Sequence, residues 1–151
     1  MKVSLHEIVR ALQESSDEHY FYLDRQTGEV ELFSKDILGL VEGARCDKVL
    51  AWQEREFEMV KTFFAVPDRF EKLPTKWDIH EWEIMREFAS AEPAGLSDEL
   101  QNVIRGPGAF HCFKDTLRRY RRSQDWYDFL DRALQQIAID WCDENGIEYC
   151  D

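Results

Sequence analysis

The sequence predicts an α+β fold, mainly helical, and three observations predict it. Apolar residues recur at helical spacing near the start of the chain, and again from Asp78 onward with few breaks. Between these stretches lie two short runs rich in aromatic and β-branched residues, separated by a Gly-containing turn; that is the pattern of a β-hairpin. No strand–helix–strand alternation occurs, so a doubly wound parallel sheet is not expected. A chain of 151 residues is read as a single domain over 1–151, with a helix, hairpin and helix in 1–76 and a helical part in 77–151.

The elements follow in order. Ser4-x-x-Glu7 reads as a capping box, and Leu5, Ile8, Val9 and Leu12 continue one helical stripe to about Ser15. His19–Asp24 and Glu29–Phe33 form the hairpin, with Gly28 free to take a positive φ in the turn. Residues 34–48 mix Gly39 and Gly43 with polar groups and give no clear element. Helical character returns from Val49 to about Ala65 and stops at Pro67. Arg69–Pro74 is a candidate third strand, because a two-stranded hairpin alone is marginal in water. Four helices are then expected. Ile79, Trp82, Met85, Phe88 and Ala89 mark the first, and Leu96, Leu100, Val103 and Ile104 the second, with Ser97 or Asp98 near its start. Phe110, Phe113, Leu117 and Tyr120 mark the third. Ser123 caps the fourth, which carries Trp126, Phe129, Leu130, Leu134, Ile137, Ala138 and Trp141 and stops at Asn145-Gly146.

Composition narrows the function classes. With 44% apolar residues and a length that buries roughly 70% of the unfolded surface, the chain supports a core without disulfides or metals. The formal charge of −12 opposes DNA, RNA and anionic membranes at long range. The charge is uneven: Arg105–Arg122 holds six basic residues and one acid, net +5, which leaves −17 elsewhere. Cys46, Cys112, Cys142 and Cys150 include no C-x-x-C pair, and spacing alone leaves open whether Cys142 and Cys150 pair. The start of the chain shows no apolar leader, and no apolar run approaches the ~20 residues that span a bilayer. The expectation is a soluble cytoplasmic protein with free thiols and no membrane partner.

Several motifs offer groups that chemistry could use. Arg105-Gly106-Pro107-Gly108 opens a helix, and exposed amides at such a turn can hold an anion. Pro107 removes one donor, and a sharp turn between packed helices is the simpler reading. Arg118, Arg119, Arg121 and Arg122 surround Tyr120, a pattern that suits nucleic acid, with Tyr120 as a stacking ring. The run also closes a helix, where cations offset the macrodipole, and Asp125, Asp128 and Asp131 follow closely. The candidate anion-binding set is therefore Arg105, Gly106, Gly108, Lys114, Arg118, Arg119, Arg121 and Arg122. His80-Glu81 begins a zincin-like motif that fails at Ile84, and the other histidines lack ligand spacing. Cys112 is expected to be buried beside Phe113, and the five tryptophans to act as core or interface anchors. No catalytic motif, metal site or cofactor is expected.

The residues Tyr22-Leu23-Asp24, Thr27-Gly28-Glu29-Val30-Glu31, Pro67-Asp68-Arg69-Phe70, Ile84-Met85, Ile104–Phe110, Phe113-Lys114-Asp115 and Trp126-Tyr127 resemble, as a set, uncharacterised protein family 0158. The resemblance covers most of the chain, most strongly from Val66 to Ile147 and most loosely around 34–65. Members often carry Arg between the two glycines and further Arg after the Phe. Here Pro107, His111 and Cys112 hold those places, so local positive charge is lower. The resemblance implies a bacterial cytosolic protein with a single α+β domain, and implies no reaction, cofactor or catalytic residue. Two functions follow as expectations. The first is a small non-enzymatic interaction or adaptor protein with a protein partner. The alternative is binding of nucleic acid or a phosphate ligand through the Gly106–Gly108 loop and the Arg118–Arg122 cluster.

Overall fold

The computed structural model describes residues 2–44 and 46–151. It is α+β and mainly helical, and divides into two compact units: residues 1–78 with 138–151, and residues 79–137.

The first unit is built on a small sheet. Strands β2 (His19–Asp24) and β3 (Val30–Ser34) pair antiparallel, with Tyr22 opposite Glu31 and Leu23 opposite Val30. Strand β4 (Phe70–Lys72) lies on the other side of β2, so the order is β3-β2-β4. The expected third strand is therefore present. Because alternate residues face opposite sides, Tyr22, Phe33 and Phe70 share one face. There they pack with Ile37 of α2 (Lys35–Glu42) and with Phe57 and Val60 of α3 (Glu54–Ala65). Helix α1 (Leu5–Glu14) buries Leu5, Ile8, Val9 and Leu12, the stripe its spacing predicted, and Ser4 Oγ accepts from Glu7 N at 3.4 Å as its cap.

Asp24 ties the turn to the third strand. Its carboxylate is fully buried, and Arg69 donates to it from Nε at 2.8 Å and from Nη2 at 2.7 Å. Gln26 N donates to the same carboxylate at 2.9 Å, which fixes the hairpin turn.

In the second unit, α5 (Glu81–Ala91), α6 (Ala94–Val103), α7 (Ala109–Arg119) and the first part of α8 (Ser123–Glu144) enclose an aromatic core. Trp126 meets Phe113 at 5.0 Å and Phe88 at 5.5 Å between ring centroids, both edge-to-face. Its Nε1 is buried without a hydrogen-bond partner. Trp82 Nε1 donates to the Ile104 carbonyl at 3.1 Å and so satisfies the end of α6. No helix among the described residues is long and apolar enough to cross a membrane.

The structure corrects several local expectations. Residues 34–42 are ordered by Ser34, whose Oγ accepts from Ile37 N and starts α2; Arg45 lies outside the described residues. The helix expected from Val49 begins instead with a 3-10 turn, Ala51–Gln53, before α3. The helix expected from Asp78 is split: α4 (Lys76–Ile79) ends where His80 takes φ 55°, and α5 follows. Helix α6, expected with Ser97 or Asp98 near its start, begins at Ala94, and the Pro93 carbonyl accepts from Ser97 N. The C-terminal part is not wholly helical. Strand β5 (Tyr149–Cys150) runs parallel to β1 (Val3–Ser4), with Val3 opposite Tyr149. Gly146 makes this return feasible. It takes φ 65° after α8, while Ile147 N donates to the Cys142 carbonyl at 2.8 Å. Trp126 and Trp141 are core residues, whereas Trp52 and Trp77 are 77% and 71% exposed.

Candidate functional site

The candidate anion-binding residues are spread over the α6–α7 turn, α7 and the turn that follows it. Arg105, Gly106 and Gly108 lie on the exposed α6–α7 turn, and Gly108 takes φ 66° at the start of α7. Lys114 lies over the Phe110 ring at 4.2 Å. Burial raises the Glu81 pKa above its ordinary value, and the Lys114 charge offsets only part of that rise. Three arginines of the Arg118–Arg122 run reach separate carboxylates. Arg118 is 3.5 Å from Asp115, and Arg119 pairs with Glu99. Arg122 donates to Glu92 from Nε at 2.9 Å and Nη2 at 2.7 Å, and also meets Asp125 at 3.1 Å. Tyr120 donates its hydroxyl to Glu99 at 2.7 Å, so the expected stacking ring is tethered. This bond and the Arg119 guanidinium hold the Glu99 carboxyl below its usual range, while Tyr120 is raised by the same bond.

Arg121 occupies the left-handed region at φ 57°, and Arg122 N donates to the Leu117 carbonyl at 2.8 Å. The arginine thus sits where a glycine normally closes a helix. Among the described residues, Arg105, Lys114 and Arg121 form no ion pair within 4.0 Å.

The cysteines are free at 112, 142 and 150; the Cys46 side chain lies outside the described residues. Cys112 is exposed, contrary to expectation, because Phe113 alone of that pair turns into the core. Cys142 is buried, and burial, helped by Asp143, pushes its thiol up to about 11. Iodoacetamide at pH 8 is therefore expected to label Cys112 and Cys150 well before Cys142, as read by peptide mapping. Equal labelling rates would contradict this burial. Among the described residues, no group of three or more His, Cys, Asp or Glu stands where a metal could be held.

The first unit carries a cleft that sequence inspection did not single out. It lies between α2 and α3, has a volume of about 510 Å³, and is walled by Val41, Phe57, Phe64 and Ala65, with Ala44 at one end. Lys61 is the one titratable side chain on its wall among the described residues, and its Nζ lies 5.6 Å from the Phe57 ring centroid. Phe57, Lys61 and Phe64 are spaced i, i+4 and i+7, which places them on one helix face. That spacing was readable, but the opposing wall from α2 was not.

The chain resembles known proteins along nearly its whole length. The family description that matches it is an uncharacterised protein family (UPF0158), over residues 1–150. A Pseudomonas aeruginosa protein of the same designation is 25% identical over 150 residues, covering 98% of this chain and 86% of that protein. No solved structure matches. With a family match that takes in all but the last residue, the chain belongs to uncharacterised protein family 0158.

Proposed function

We propose that the protein is a small non-enzymatic interaction protein that seats an apolar anchor of a partner protein in the α2–α3 cleft. The observation that carries this reading is the cleft itself, an apolar concavity of about 510 Å³. Nearby in sequence, Leu50, Trp52, Phe64 and Val66 are exposed. Of these, Phe64 stands on the cleft wall, and an exposed apolar concavity is a mark of a surface that a partner covers. The fitting partner segment carries a large apolar residue next to an acid. The apolar residue fills the space between Val41 and Phe64, and the acid meets Lys61, which is half-exposed at the wall and whose present counter-ion, Glu58 at 3.6 Å, is an exposed and readily exchanged one. Free thiols at Cys112, Cys142 and Cys150 agree with a cytoplasmic location.

The alternative, an anion site at the Gly106–Gly108 loop and the arginine run, has less support. Asp115, Glu99 and Glu92 already neutralise Arg118, Arg119 and Arg122.

Selection of random peptides on the intact chain tests the reading. Peptides that pair an aromatic or branched apolar residue with a neighbouring Asp or Glu are expected to enrich. Phe64→Asp should abolish their binding, and Lys61→Glu should weaken it about tenfold, or ~1.4 kcal/mol. Peptides that bind Phe64→Asp as well as the parent chain would remove the cleft from the account. Retention on DNA that falls steeply with salt would favour the alternative.

A further inference from the structure

A second cavity, of about 500 Å³, lies elsewhere in the first unit, between the start of α1, the hairpin turn and α3. It shares no lining residue with the α2–α3 cleft. Lys2, Glu7, Gly28, Glu29, Glu31 and Arg55 line most of it. Three carboxylates thus face two cations.

Glu31 is the unusual member. It stands opposite Tyr22, on the sheet face that carries Phe33 and Phe70, where alternation calls for an apolar residue. Its side chain is only 9% exposed. A carboxylate on so buried a side chain normally collects hydrogen bonds. Glu31 accepts none within 3.5 Å among the described residues. Its counter-charge is Arg55 Nη2 at 3.6 Å, beyond hydrogen-bond distance, on a side chain that is 76% exposed. Arg69 also feels the Glu31 charge, but its Nε and Nη2 are held by Asp24. The Glu31 carboxylate therefore has acceptor capacity unused and opens into a cavity large enough for a small ligand or a basic side chain.

We propose that this cavity binds a primary ammonium group. The ammonium donates to Glu31 at the inner wall, Glu7 and Glu29 complete the negative field, and Arg55 swings out into solvent. A compact ammonium suits the site because its three donors can meet several carboxylates at once. Arg55 is displaceable because a long, exposed contact at 3.6 Å contributes little. The ammonium can come from a free polyamine or from a lysine of a protein chain.

Calorimetric titration of the full chain with spermidine and with an N-acetylated, C-amidated lysine tripeptide tests the proposal. At least one of the two is expected to bind, and the tighter one identifies the source. Glu31→Gln should weaken binding at least tenfold. Arg55→Ala should tighten it several-fold by removing the competing cation. Arg132→Ala removes an equal charge from exposed surface outside the cavity and should leave binding unchanged. Tetramethylammonium, a cation without donors, should not compete. Binding of neither probe overturns the proposal, as does weaker binding in Arg55→Ala or an equal response to Arg55→Ala and Arg132→Ala. Should Glu31→Gln fail to fold, the Arg55 and Arg132 pair still decides the outcome.

Discussion

Asp24→Ala is expected to destabilise the protein by about 3–5 kcal/mol, the range for removing one partner of a buried ion pair. The Asp24 side chain is fully buried, and Arg69 grips it through two bonds of 2.7 and 2.8 Å. The same carboxylate accepts from Gln26 N, so its loss frees both the hairpin turn and the segment that leads into β4. Arg69 would then keep a guanidinium with no fixed acceptor. The pair also sets a pH dependence. The hydrogen bonds from Arg69 hold the Asp24 carboxyl below its ordinary value of 3.8, against the opposing push of burial. Folding therefore favours the ionised form. The stabilisation is full above pH 3.8 and is lost as pH falls through the lower folded value. Urea unfolding followed by circular dichroism checks both points. The parent chain should lose stability below pH 4, and Asp24→Asn should lose less over the same interval. A loss under 1 kcal/mol for Asp24→Ala at pH 7 would show that the pair does not hold the turn.

What could be read in advance was local. The hairpin and α1 follow from side-chain alternation and a capping serine, patterns that close within a few residues. Strand β5 could not be read. Its two residues carry no period, and their pairing with Val3–Ser4 joins the two ends of the chain. Helix α2 was obscured because it is only eight residues long, carries Gly39 within it, and buries only Ile37 fully. The basic run was legible as charge and illegible as geometry. Sequence proximity pointed to Asp125, Asp128 and Asp131 as counter-ions. Of these, the structure uses Asp125 for Arg122, while Glu92 and Glu99 arrive from α5 and α6 through folding. Glu31 shows the converse. Its place in the alternation was plain, but its burial depends on α3 and on the hairpin register.

Arg122→Ala is expected to cost about 2–4 kcal/mol, somewhat less than a fully buried pair, because the arginine is partly exposed. The cost arises at Glu92, whose side chain is 5% exposed and takes both of its charge-assisted bonds from Arg122. Without the guanidinium, a buried carboxylate is left unpaired at the end of α5. The folded state also holds Arg122 in its charged form more strongly than usual, through the same bonds. Arg118→Ala makes the contrast. That side chain is 78% exposed and meets Asp115 at 3.5 Å, so its removal should leave stability unchanged within measurement. A run whose members differ this much is not a uniform electrostatic surface. Arg122 holds helices together, whereas Arg118 lies in water. The double variant Glu92→Ala/Arg122→Ala should recover part of the single-variant loss, because no unpaired charge then stays buried. If Arg122→Ala and Arg118→Ala have equal effects on urea stability, the bond to Glu92 is not structural, and Arg122 becomes free to serve a ligand.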